Sequence, residues 1–310
     1  MPTPKALTDL FEQVERVMSR QLFFVAGAPK SGTTWLQRLL DAHPEVMCAG
    51  EGHIVDKLAP LLRTAMGDYN QHQKLVTERV YEGAPYYKGL TARQLDLVTM
   101  VLAGMIMGGR PIDEGVRCIG DKTPRYTLHL EDLRRIFPEA KFIHIVRDGR
   151  DVVVSTCHHV LRAGDEKVFQ KDSANFHKWV AQFANAWATN VRAAEKFGEA
   201  HPERYWQVRY EDLHGDAAAA MGGVLRFLAV ADDAGVIETC RDAASFEKLS
   251  GGRKPGEEKS QTFMRKGAVG DWRNHFDRPA LEIFDRRAGP LLRRMGYGDD
   301  ASPARAGTGR

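Results

Sequence analysis

Two periods of apolar residues run through the chain. Leu22 to Ala26 is a short apolar run with no polar face, and Val116 to Gly120, Lys141 to Val146 and Tyr205 to Val208 are further short runs; all four predict strands. Between them the apolar residues return every three or four positions. Leu10, Phe11, Val14 and Val17 predict a helix over 8–18, and Leu36, Leu39 and Leu40 one over 33–43. Helices are likewise expected from Leu58 to Met66, Leu95 to Met107, Leu128 to Phe137, Ser173 to Phe197 and Ala217 to Leu228, with a last one opening at Asp277 and Pro279. Strands alternating with helices predict an α/β fold, a central parallel sheet flanked by helices. At 310 residues the chain suits a single domain, 1–310. Residues 69–110, with Tyr69, Tyr81, Tyr86 and Tyr87, interrupt the alternation and are read as a helical cap over the site. The polar stretch 299–310 is expected to be a disordered tail, and Ser250 to Lys266 a loop.

The junction after the first strand carries the chemistry. Gly27 to Gly32 is rich in Gly and Pro and leads straight into a helix, so its backbone N–H groups and the helix dipole converge on one anion. Lys30, Ser31, Thr33 and Thr34 add side-chain donors, which suits a phosphate or sulfate group. Gly27 and Gly32 stand where a Walker A loop has its two glycines, but Thr33 takes the lysine position and the lysine sits earlier, at Lys30. Asp148 after an apolar strand resembles a Walker B aspartate, so a nucleotide-dependent kinase is an alternative reading.

Charge and cysteines exclude other classes. With 44 basic against 41 acidic residues, a formal +3, there is no nucleic-acid-binding surplus. No stretch approaches the roughly 20 apolar residues of a membrane span, and no signal-peptide core precedes Gln21, so a cytoplasmic protein is expected. Cys48, Cys118, Cys157 and Cys240 are too scattered for a zinc site or a disulfide framework, and His158-His159 lacks metal-ligand spacing. No metal is expected. His144 shares a strand face with Phe142 and is read as a core histidine.

Pro29-Lys30-Ser31-Gly32-Thr33-Thr34-Trp35 resembles the phosphosulfate loop of sulfotransferases, which use 3'-phosphoadenosine 5'-phosphosulfate (PAPS) and release 3'-phosphoadenosine 5'-phosphate (PAP). Ile145 to Ser155 is similar to the family's second signature, in which the arginine and serine, here Arg147 and Ser155, hold the 3'-phosphate. A planar guanidinium suits that phosphate, and Ser155 is placed in the first turn of the following helix. Phe263-Met264-Arg265-Lys266-Gly267 begins a third signature, and Val208 to Leu213 also resembles the family. The resemblance implies the P-loop-like sulfotransferase fold, with Arg265, Lys266 and Gly267 closing over the 3'-phosphate and Trp35, Tyr210 and Phe263 around the adenine.

It also implies a mechanism. Lys30 would stabilise charge on the departing oxygen, with Lys122 as a second cation. The cytosolic members' Lys-Thr-His reads Lys122-Thr123-Pro124 here, so that histidine is absent. Ala49-Gly50-Glu51 instead resembles the glutamate-base type of the tyrosylprotein sulfotransferases, which makes Glu51 the base and His53 its competitor. The acceptor, a hydroxyl or amine of a small molecule, glycan or peptide, is not identified by the sequence. A nucleotide-sensing module without activity is the non-enzymatic alternative. The cytosolic members' dimer motif is not found after Gly267, which leaves the oligomeric state open.

Overall fold

The computed structural model describes residues 4–84, 87–162, 173–254, 257 and 267–298. Among these, five strands form one parallel sheet: β1 (Gln21–Ala26), β2 (Val46–Ala49), β3 (Cys118–Lys122), β4 (Lys141–Val146) and β5 (Tyr205–Arg209). Their order is β2-β3-β1-β4-β5, so the chain builds to one side of β1 and then crosses to the other. All five carboxyl ends therefore open on the same edge, with the topological switch beside β1, where open parallel sheets bind ligands.

The helices in chain order are α1 (Pro4–Met18), α2 (Thr33–Asp41), α3 (Ala59–Val80), α4 (Ala92–Met107), α5 (Leu130–Ile136) and α6 (Gly149–Arg162). They continue as α7 (Ala174–Ala200), α8 (Tyr210–Gly215), α9 (Ala217–Leu228), α10 (Ala234–Ala243), α11 (Phe246–Ser250) and α12 (Arg278–Arg294). Because side chains alternate along a strand, β1 sends Phe24 and Ala26 to one face and Phe23 and Val25 to the other. The first face packs on α1, α4, α5 and the end of α7, and the second on α2, α8 and α9. A third cluster, with Trp187 and Phe284, joins α6, α7 and α12. Ser173 and Asp277 cap α7 and α12, accepting from the N–H groups of Phe176 and Ala280.

Three expectations need correction. The third strand runs over Cys118–Lys122, two residues later than Val116 to Gly120, because Asp121 and Lys122 are buried in it despite their charge. The edge strand β2 was not anticipated, since four residues after a His-Pro helix stop are too few to show a period. The cap over the site is also displaced. α4 is a packing helix of the first face: a Cβ on Gly104 would lie 3.0 Å from Val14 and Met18, and one on Gly108 3.0 Å from Val17. No described residue of 69–110 lines the cleft at the strand ends. Tyr86, the Gly164 to Asp172 loop and the tail 299–310 lie outside the described residues.

Candidate active site

A cleft of about 450 Å³ lies at the carboxyl edge of the sheet. Its floor is the loop after β1. A Cβ on Gly27 would come within 2.6 Å of the Ile145 carbonyl, and one on Gly32, at φ 95°, within 2.4 Å of the Tyr210 ring. Only glycine fits both the contact and the left-handed turn. Lys30 is also left-handed, at φ 75°, a conformation that costs a non-glycine residue about 1–2 kcal/mol. Gly32 caps α2 without a side-chain acceptor, which leaves first-turn N–H groups pointing at the cleft. Ser31 is fully buried and its Oγ has no hydrogen-bond partner among the described residues. An unmet buried donor costs about 1–3 kcal/mol, so this loop fits a ligand rich in acceptor oxygens. Thr33 and Thr34 follow in the first turn of α2.

Arg147, at the end of β4, faces this loop. Its Nη2 donates to the Ala268 carbonyl at 3.0 Å and its Nη1 to that of Lys30 at 3.4 Å, while its buried Nε has no partner among the described residues. Burial opposes its charge, but Tyr210, whose ring centroid lies 4.3 Å away, and the carboxylates of Asp151, Glu211 and Asp148 keep it above the ordinary range. Asp151 accepts from the N–H groups of Gly270 and Trp272 at 2.8 and 2.9 Å, which brings the Gly267–Ala268 turn over Arg147. Ser155 lines the cleft, but from the second turn of α6, so its hydroxyl contributes without the dipole advantage of a first-turn position.

Beside Arg147 the rings gather. Trp35 meets Tyr210 edge-on at 5.4 Å and His214 at 4.5 Å, and its Nε1 donates to the Ala244 carbonyl at 3.0 Å. Burial pushes His214 down to about 4, with Arg147 adding to the effect, so it is neutral near pH 7. Phe246 completes this end. Trp35 and Tyr210 are expected here from the sequence, whereas His214 and Phe246 are not. His214 follows Tyr210 by four residues on α8 and shares its face, a signal that was available; Phe246 offered none. Phe263, Met264, Arg265 and Lys266 lie outside the described residues, whereas Gly267 does line the cleft, its φ of 61° fitting it against Phe246.

At the opposite end stand Glu51, His53 and Lys122. The buried Lys122 ammonium lies 2.6 Å from Glu51 Oε1 and 3.2 Å from Thr34 Oγ1. The Glu51 carboxylate is half-exposed to the cleft, and His53 Nε2 lies 3.4 Å from its second oxygen. Three successive backbone N–H groups clamp this loop to the chain after β3: Gly52 donates to Asp121 Oδ2 (2.8 Å), His53 to Thr123 Oγ1 (3.4 Å) and Ile54 to the Tyr126 hydroxyl (3.0 Å). Burial pushes Asp121 up to about 6, although hydrogen bonds from Tyr126, Gly52 and Thr123 oppose the shift. Asp121, Arg125 and His159 were not singled out as site residues from the sequence; the latter two line the mouth. Among the described residues no group of three or more His, Cys, Asp or Glu side chains is arranged to hold a metal ion, and no helix is long and apolar enough to cross a membrane.

A sequence profile described as the sulfotransferase family matches residues 23–234, from β1 through the loop, Arg147 and Tyr210. The chain belongs to the sulfotransferase family. Its reaction is PAPS-dependent sulfuryl transfer, and the kinase alternative is set aside. The sulfotransferase is 27% identical over 299 residues to protein-tyrosine sulfotransferase 2 of Gallus gallus, covering 92% of this chain and 72% of that one. It is 30% identical over 210 residues to protein-tyrosine sulfotransferase 1 of Danio rerio, covering 67% of this chain and about half, 52%, of that protein. Flavonol 3-sulfotransferase of Flaveria bidentis is 25% identical over 297 residues, 87% of this chain and 84% of its own. Among solved structures, a mouse sulfotransferase complexed with PAP superposes with a TM-score of 0.54 at 15% identity, covering 93% of this chain and 94% of that one. The sulfotransferase domain of the curacin biosynthetic pathway gives a TM-score of 0.51 at 18% identity, with 88% and 97% covered. These two likenesses speak for the fold.

Proposed function

We propose that this sulfotransferase holds PAPS along the cleft and transfers its sulfuryl group to a phenolic hydroxyl. Arg147, Ser155 and the Gly267–Ala268 turn take the 3'-phosphate, and Arg265 and Lys266 are expected to join them. Trp35, Tyr210, His214 and Phe246 bracket the adenine, and the loop from Lys30 through Thr34 takes the 5'-phosphosulfate. The observation that carries the reading is the 2.6 Å pairing of Lys122 with Glu51 at the far end, which sets a cation and a proton acceptor side by side next to the loop. Glu51 removes the acceptor's proton, the acceptor oxygen bonds to sulfur, and the bridging S–O bond breaks with its electron pair on the phosphate. Lys30 and Lys122 oppose the charge that develops there.

A phenolic acceptor is supported by the names of the protein-tyrosine sulfotransferase relatives. The test is label transfer from [35S]PAPS to a panel containing an acidic tyrosine peptide, a flavonol, a simple phenol, a sugar and an amine. Transfer to the phenols, abolished by Lys30→Ala with PAP affinity retained, is the expected result. Transfer only to the sugar or the amine would overturn the acceptor class, and near wild-type activity of Lys30→Ala would overturn the role of the loop.

A further inference from the structure

The loop that carries Glu51 holds a further pair of titratable groups that no motif marks. His53 Nδ1 lies 2.9 Å from Asp56 Oδ2, while its Nε2 faces Glu51 Oε2 at 3.4 Å. The Asp56 side chain is only 3% exposed, and its Oδ1 is buried with no hydrogen-bond partner among the described residues. Both carboxylates only accept, but Asp56 Oδ2 is within hydrogen-bond distance of Nδ1 at 2.9 Å whereas Glu51 Oε2 stands off Nε2 at 3.4 Å. The proton of a neutral His53 is therefore assigned to Nδ1, which leaves the Nε2 lone pair to accept once Glu51 has taken up a proton.

The backbone is shaped for this alignment. His53 is left-handed, φ 48° and ψ 38°, a conformation that imidazole side chains adopt at a cost. The next five residues, Ile54–Leu58, form one wide π-helical turn in which the N–H groups of Lys57 and Leu58 both donate to the His53 carbonyl, at 3.2 and 3.0 Å. Such turns recur at functional sites, and this one is held in place by the Asp121, Thr123 and Tyr126 clamp. Asp56 could instead serve merely as an acid at a helix start. A helix-start acid gains most by accepting a first-turn N–H, whereas the hydrogen bond Asp56 makes among the described residues is to the imidazole.

We propose that Asp56 is a positioning residue of sulfuryl transfer, fixing His53 so that its Nε2 shares the proton that Glu51 takes from the acceptor. This rests on the reading of Glu51 as the base. The acceptor O–H bond breaks and its proton passes to Glu51 Oε2, hydrogen-bonded to Nε2. The acceptor oxygen forms the new S–O bond, and the electron pair of the old bridging bond leaves on the 5'-phosphate of PAP.

Two measurements test it. The first needs no acceptor: ¹⁵N-histidine NMR, with the His53 resonances assigned by their loss in His53→Ala. The wild type is expected to show His53 protonated at Nδ1, and Asp56→Asn, whose amide can donate as well as accept, to lose that preference. An Nε2-protonated wild type, or an unchanged spectrum in Asp56→Asn, would overturn the proposal. The second is turnover with [35S]PAPS and an acidic tyrosine peptide. Asp56→Asn should lower kcat about tenfold or more with KM for PAPS unchanged, and should cost nothing further in a His53→Ala background, because it acts through that ring. Multiplying effects would mark Asp56 as structural and refute the proposal. A wild type with no turnover on any panel acceptor would instead count against the proposed function, while the NMR result would still decide the pairing.

Discussion

With the nucleotide held as proposed, replacing Arg147 is expected to separate recognition of the 3'-phosphate from binding of everything else on it. Its Nε has no partner among the described residues, and Nη1 makes only a long contact of 3.4 Å with the Lys30 carbonyl, so two of its donors remain for phosphate oxygens. Charge-assisted bonds contribute about 1.5–3 kcal/mol each, so losing both should cost roughly 3 kcal/mol or more, about 100-fold in affinity. The assay is calorimetry with two ligands, PAP and 5'-AMP, which differ by the 3'-phosphate. In Arg147→Ala the preference for PAP over 5'-AMP should shrink about 100-fold, whereas Arg147→Lys, which keeps the charge without the planar fork, should lose about tenfold. Arg147 also stacks on Tyr210 at 4.3 Å, so some affinity for both ligands will fall together, and the ratio cancels that loss. Equal losses for PAP and 5'-AMP would refute the placement of the 3'-phosphate on Arg147.

Three more outcomes follow from the geometry. Glu51→Gln keeps the shape and removes the base, so kcat should fall about 100-fold with PAP affinity nearly unchanged, and steady-state rates equal to wild type would reassign the role to His53. Gly32→Ala must place a Cβ 2.4 Å from the Tyr210 ring at φ 95°, so the melting temperature and PAP affinity should fall together, and a variant that melts and binds like wild type would contradict the close approach of loop and ring. Asp121, raised by burial to about 6 from an ordinary value near 3.8, binds its proton more readily folded than unfolded. Its ionisation therefore weakens the fold as pH rises from about 4 to 6, by about 3 kcal/mol in full. The stability of the wild type relative to Asp121→Asn, followed by denaturant titration, should decline across that window, and a difference independent of pH would show that the carboxylate is not strained by burial.

The residues that form the floor of the cleft were largely legible in the sequence, because strand, loop and first helical turn are consecutive there. A left-handed turn at Gly32, and donors grouped within a few residues of it, at Lys30, Ser31, Thr33 and Thr34, are local properties of the chain. So were four of the strands, although only β1, β3 and β4 are buried on both faces and β5 is a partly exposed edge. The edge strand Val46–Ala49 is too short to show a period, and its pairing with β3 exists only once the sheet is assembled. Burial of Asp121 and Lys122 could not be read either, since a charged residue inside a strand is tolerated only when its partners arrive from elsewhere. Those partners, the Gly52 N–H and the Glu51 carboxylate, come from about 70 residues earlier in the chain. The same holds for Phe246, carried to the aromatic end of the cleft by the packing of a distant helix, and for segment 69–110, whose apolar residues turned α4 toward α1 instead of over the site. Periodicity reports what a residue needs from its surroundings, and only the tertiary structure decides which distant residue supplies it.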